Sequence, residues 1–172
     1  MVVLLAVVVG IFVLREDEPA RPVAPATSDN ERERQAVIDA VLGFSRVAHE
    51  ANDPAPNPDH PELAVYATDR AREGVARAAR ENQAKGIGVR KPPNSRTQDK
   101  VEVLSFDGGT ATARDCSVDD GLVVELGTGR VLNADVVTRL ETVFLVKENG
   151  RWKVSATQVE QKWSGIAGCA AA

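Results

Sequence analysis

TRLETVFLVKENGRWKVSATQV, residues 138–159, holds two runs rich in Val, Phe, Leu, Trp and Thr on either side of Asn149-Gly150. Apolar and β-branched residues flanking Asn-Gly mark a β-hairpin. Its register admits two readings. A two-residue loop, Asn149-Gly150, sets Trp152 opposite Lys147. A three-residue loop, Glu148-Asn149-Gly150, sets Trp152 opposite Val146, Val154 opposite Phe144 and Ala156 opposite Thr142. Cross-strand neighbours share a face, so the second register makes one apolar face and leaves Arg139, Glu141, Lys147, Arg151 and Lys153 on the other. That uniformity favours a type I turn with a bulge at Gly150. The expected core face is then Phe144, Val146, Trp152 and Val154, packed against helices.

Working back from the hairpin, the chain has period two from Asp99 onward. Val101, Val103, Leu104 and Phe106 lead into Asp107-Gly108-Gly109, and Thr110–Val118 returns as a strand. Asp119-Asp120-Gly121 turns the chain into Leu122–Leu126, and Gly127-Thr128-Gly129 ends that run. Strands joined by tight turns predict an antiparallel meander.

The preceding half has helical period. Ser28-Asp29-Asn30-Glu31 is a capping box. Val37, Val41, Phe44 and Ala48 recur at helical spacing, with Ile38 and Leu42 widening the stripe, over a helix from about Asp29 to Ala51. Glu31, Arg32, Glu33 and Arg34 form a solvated first turn. PAPNPDHP, residues 54–61, is a loop. Asp59 caps a second helix reaching about Lys85, with a narrow stripe of Leu63, Tyr66, Ala67, Ala71, Val75 and Ala78. Gly86 and Gly88 end it. KGIGVRKPPNSR, residues 85–96, is a basic connection; an anion-contacting role is the alternative. Helices followed by a meander make an α+β domain.

Before residue 29 lie two further segments. Val2–Leu14 is uninterrupted apolar or Gly, about 20 Å as a helix and short of a full span. It reads as the end of a membrane anchor that starts upstream, as an atypical cleaved signal, or as a buried helix. The charged run Arg15-Glu16-Asp17-Glu18 and the Pro-rich spacer of residues 19–27 disfavour the last. The expected division is therefore residues 1–14 as anchor or signal, 15–28 as linker and 29–172 as the folded domain.

The 172 residues carry a net charge of −4, which argues against a nucleic-acid partner. The two cysteines, Cys116 and Cys169, lack zinc-site spacing. Cys116 lies in a strand and Cys169 in a Gly/Ala tail. If the chain is exported, the two are expected to form a disulfide closing a loop of 53 residues.

The order of helix pair and curved antiparallel sheet, closing on VFLVKENGRWKV, resembles the NTF2-like superfamily, the α+β cone also called SnoaL-like or cystatin-like. The stretches HPELAVYAT, TATARDCSVDDG, TGRVL and WSGIAGC are similar to small exported or membrane-anchored actinobacterial proteins of that type. The layout also resembles Mce-associated membrane proteins and periplasmic domains of type IV secretion assembly factors. Enzymes of the resembling superfamily work inside the cone with an Asp or His base and Tyr or Asp donors.

Tested against that expectation, His49 and His60 read as surface residues. Tyr66 and Asp115 are the candidate ligand-binding residues. Tyr66 lies on the second helix's stripe. Asp115 shares a strand face with Ala111, Ala113 and Ser117, and alternation alone leaves open which face points inward. No catalytic set, metal site or cofactor motif is present. Paired Asp residues before Gly, at 119 and 120, are turn formers rather than calcium ligands. The reading that follows is a non-enzymatic extracytoplasmic domain, tethered through its N-terminal segment, that binds a protein partner or self-associates. A cone holding a small apolar ligand or lipid is the alternative, and a lyase or isomerase the third reading.

Overall fold

The computed structural model describes residues 29–169, and the N-terminal apolar segment, the spacer and Ser28 lie outside them. The described chain is α+β, with three helices and two antiparallel sheets. Helix α1 spans Asp29–Glu50, α2 Leu63–Tyr66 and α3 Asp69–Lys85. The strands are β1 Ile87–Arg90, β2 Gln98–Asp107, β3 Thr110–Asp119, β4 Leu122–Glu125, β5 Val131–Asn133, β6 Val137–Glu148 and β7 Arg151–Ser164. One sheet has the order β2-β3-β6-β7 and the other β1-β4-β5.

The hairpin of β6 and β7 forms, but with the shorter loop. Trp152 pairs with Lys147 and Val154 with Leu145. Asn149 and Gly150 both take positive φ, 50° and 78°, as a two-residue type I′ turn requires. In the half of β6 next to the turn the buried residues are therefore Val143 and Leu145, while Val146 is half-buried and Phe144 is 38% exposed. The physical reason lies on α1. Lys147, expected outside, shares the face of Trp152 because Glu33 meets it there. Lys147 Nζ stands 2.7 and 2.8 Å from the two Glu33 oxygens, and Trp152 Nε1 donates to the same carboxylate at 2.9 Å. These bonds, that of Lys147 first, hold the Glu33 carboxyl below its usual range. The first turn of α1 is thus clasped to the sheet rather than solvated: Arg34 also donates to the Val103 carbonyl at 2.9 Å. Two bulges, at Ser155 and Glu160, then shift the β7 partners along the hairpin.

Helix α1 ends where its sequence predicts, but the second helix breaks in two. It starts at Leu63 without a side-chain cap, rather than at an Asp59 cap, and stops at Tyr66. Ala67 is extended and bridges Val154, and the Thr68 N–H donates to the Val154 carbonyl at 2.9 Å. Pairing with the edge of β7 outweighs helix continuity over two residues. Gly86, at φ 65°, caps α3 in the left-handed form, but Gly88 belongs to a strand. A Cβ at Gly88 would stand 2.2 Å from the Pro54 carbonyl oxygen.

The meander is interrupted as well. Strands β2 and β3 pair as expected, yet β3 next pairs with β6. Strand β4 leaves the meander to pair with β1, drawn from the stretch expected as a basic connection. The core joins Val37, Ala40, Val41, Leu63, Ala67 and Ala71 of the helical layer to Val103, Ala113, Val143, Leu145, Trp152 and Val154 of the four-stranded sheet. Of the expected helical stripe, Leu42 and Ala78 are exposed instead, and Val47 and Ala79 are buried.

One end of the opposite face of that sheet is crossed by the chain's own tail. Thr138 Oγ1 donates to the Gly165 carbonyl at 2.6 Å. A Cβ at Gly168 would meet the Trp163 ring at 2.4 Å, so only glycine lets the tail cross this close. Cys169 joins Cys116 in a disulfide, with Cα atoms 6.0 Å apart, inside the range that a bridge spans.

Candidate functional site

Strand pairing fixes what lies on the helix-facing side of the sheet. Val103, Ala113 and Val143 pair across β2, β3 and β6 in the core. Partners share a face, and residues two apart along a strand return to it. The next row along is therefore Val101, Asp115 and Glu141, and the row after that Asp99, Ser117 and Arg139. Apolar residues give way to carboxyls on one continuous face. Above them, α1 contributes Phe44, Ser45, Ala48 and His49, and the gap is a cleft of about 690 Å³ lined by these four together with Asp99, Asp115, Ser117, Arg139 and Glu141 of the sheet and with Val89 and Lys91.

The ambiguity over Asp115 is thereby resolved: it points inward and is 5% exposed. Its Oδ1 meets no protein donor among the described residues. Burial, and then the negative charges of Asp99 and Glu141, push its carboxyl up to about 7. A hydrogen bond shared with the Asp99 carboxyl acts in the same direction, and the Lys100 N–H opposes it. Burial likewise raises Glu141, aided by Asp99 and opposed by Arg139. Asp99 is held by the Ser45 hydroxyl, which donates to its Oδ1 at 2.9 Å. A carboxyl that changes charge near neutrality can exchange a proton or receive a cation.

The nearby bases are engaged elsewhere. Arg139 reaches Asp119 Oδ2 at 3.0 Å, and His49 Nε2 lies 3.3 Å from Asp53. Arg46 bridges Glu50 at 2.7 Å and Glu62 at 2.6 Å. A second cavity, about 740 Å³, adjoins the first through Phe44, Ala48, Asn52, Arg139 and Glu141, and opens between α3 and β7 past Arg70 and Arg77.

Tyr66 does not join this site. Its ring packs on Gly43, where an added Cβ would stand 2.2 Å from it, and the Arg46 guanidinium lies 5.5 Å above it. It is a packing residue between α1 and α2. His60 lies in the proline loop, and His49 lines the cleft beside its Asp53 partner. Sequence reasoning missed Asp99 and Glu141. The pairing of β2 and β6 to either side of β3 brings them to Asp115, and no local motif announces that. Asp120, expected with Asp119 as a turn former, is instead buried and anchors the basic stretch. Burial works against its ionisation, but the Arg96 N–H and the Ser95 and Thr97 hydroxyls hold its carboxyl below the usual range. Asp107 and Asp119 do serve turns, accepting from the Thr110 and Gly121 N–H groups at 3.1 and 3.0 Å.

No protein-family model matches the chain, and no curated protein matches it. Among solved structures, it is similar to the intermembrane space region of the chloroplast protein ARC6, with a TM-score of 0.56 and 16% identity. The match covers 73% of this chain and 95% of that one. The likeness is one of fold.

Proposed function

We propose that this is an accessory domain of the NTF2-like type, held outside the cytoplasm by its N-terminal segment, that acts by binding a partner chain. The observation that carries the binding role is the outer strand of the smaller sheet. Strand β5 lies at the edge of β1-β4-β5, and its Val131 and Leu132 are 48% and 44% exposed. Leu126, at the end of β4, extends the apolar surface. An open strand edge beside exposed apolar side chains suits pairing with an extended segment of another chain or of a second copy. The Cys116–Cys169 disulfide supports an oxidising compartment. The ARC6 region of similar fold lies, by its description, in an intermembrane space. Among the described residues no helix is long and apolar enough to cross a membrane, so the tether reading rests on residues 1–14.

Cross-linking of the full chain in its native membrane tests the role. Cross-links from β5 to another chain are expected, and Leu132→Asp should remove them. A β5 that stays free of any partner in the cell overturns the reading. Alkylation of intact cells without reductant tests the compartment, since labelling of both cysteines excludes it. The cleft supports a second reading, a ligand-binding cone, but its carboxyl lining suits a polar ligand better than an apolar molecule or lipid. A lyase or isomerase would use Asp115 as its base.

A further inference from the structure

We propose that the cleft between α1 and the carboxyl-bearing end of the four-stranded sheet binds a small organic cation carrying a primary ammonium or guanidinium group. The proposal is independent of where the domain resides. Three carboxyl groups from three adjacent strands, Asp99, Asp115 and Glu141, meet on one face and line the cleft. None of them is in an ion pair among the described residues, whereas Arg139, Arg46 and His49 each already face another carboxylate. Lys91 also lines the cleft and is the remaining cation there.

The acidic cluster gains its meaning from Asp115. This side chain is 5% exposed, yet its Oδ1 has no donor. A buried carboxyl oxygen without a donor is costly unless something supplies one, and the Lys100 N–H serves this carboxyl without satisfying Oδ1. A proton shared with Asp99 answers part of this need. An ammonium or guanidinium group offers several N–H donors and a positive charge at once. The volume, about 690 Å³, is within the range of small-molecule sites. Among the described residues, no three His, Cys, Asp or Glu groups converge closely enough to hold a metal ion. The spread of the carboxyls therefore suits a cation larger than a bare ion. Phe44, Ala48 and Val89 offer apolar wall to the hydrocarbon part of such a ligand.

Binding must compete with the proton on Asp115. A cation that needs this group ionised binds more weakly as pH falls below about 7. Asp99 and Glu141 on the neighbouring strands oppose that ionisation, Arg139 favours that of Glu141, and Ser45 from α1 holds Asp99.

The test is calorimetric titration of the full chain, in an uncharged detergent and moderate salt, with agmatine and with putrescine. Saturable one-to-one binding is expected for at least one of them at pH 8, weakened about tenfold at pH 6. Asp115→Asn and Glu141→Gln should each weaken it about tenfold or more, with Asp115→Asn flattening the pH dependence. Uncharged 1,4-butanediol should not bind. Absence of saturable binding by both amines overturns the proposal. So does equal affinity at the two pH values in the unaltered chain, which needs no variant to fold, or binding of the diol as tightly as putrescine.

Discussion

Two ends of one sheet face share the same strands and the same alternation, and differ in what α1 and its neighbours set against them. At the hairpin end, Val103, Ala111, Ala113, Val143, Leu145 and Val154 share one buried apolar core with Val37, Ala40 and Val41. At the other end, Asp99, Asp115 and Glu141 face a cleft. One polar group does enter the hairpin end: Lys147, and it is matched by Glu33 and by the Trp152 ring. At the cleft end Ser45 serves Asp99, but none of the three carboxyls has an ion-pair partner among the described residues. A sheet face thus builds the fold where its polar groups are answered and leaves a candidate site where they are not.

Truncation at the hairpin end should have the largest effect. Trp152→Ala removes a 5%-exposed ring that also donates to Glu33, and should cost about 3–5 kcal/mol in denaturant unfolding. A loss below about 1 kcal/mol would erase the distinction between the two ends.

The cleft end should answer in the opposite sense. Asp115 has a folded-state pKa of about 7, above its value in an unfolded chain. Its unfavourable ionisation is absent below about pH 4 and sets in as pH rises to about 7, because the folded state then holds more protons than the unfolded one. Stability should therefore fall across that window, by up to about 4 kcal/mol. Asp115→Asn should remove this slope and raise the melting temperature at pH 8. A variant destabilised at pH 8, with the slope intact, would place the titrating group elsewhere.

Behind the cleft end, on the other face, the disulfide closes a 53-residue separation. Its removal by Cys116→Ala with Cys169→Ala should cost about 2–4 kcal/mol, measured against the oxidised chain. Unchanged stability would mean that the tail contributes nothing to the sheet beneath it. The smallest effect belongs to the hairpin's turn. Asn149 at φ 50° is strained for most residues, so Asn149→Ala should cost about 1 kcal/mol, and Asn149→Gly little or nothing. If the alanine variant is as stable as the parent, the two-residue turn does not set the register.

The α+β class, the hairpin, α1 and the cysteine pairing were legible because each rests on local pattern or on elimination. The register was not. Both loops satisfy the same strand propensities, and the choice depends on Glu33, which lies 114 residues before Lys147. The break after Tyr66 was equally hidden, since Ala67 and Thr68 are acceptable in a helix and leave it only for the backbone of Val154. For Asp115, alternation supplied two faces, and only the packing of α1 selects one. Asp99 and Glu141 become part of a site only once β2 and β6 are known to flank β3.

The tail that crosses the outer face also gives the chain an order of assembly. Cys116 sits in the third strand, while its partner comes after the seventh. During synthesis the first thiol emerges long before the second, so the bond can close only when every strand has been made. In a gel that separates oxidised from reduced chains, the oxidised band would count finished molecules, and chains stopped short of residue 169 would be marked by a reactive Cys116.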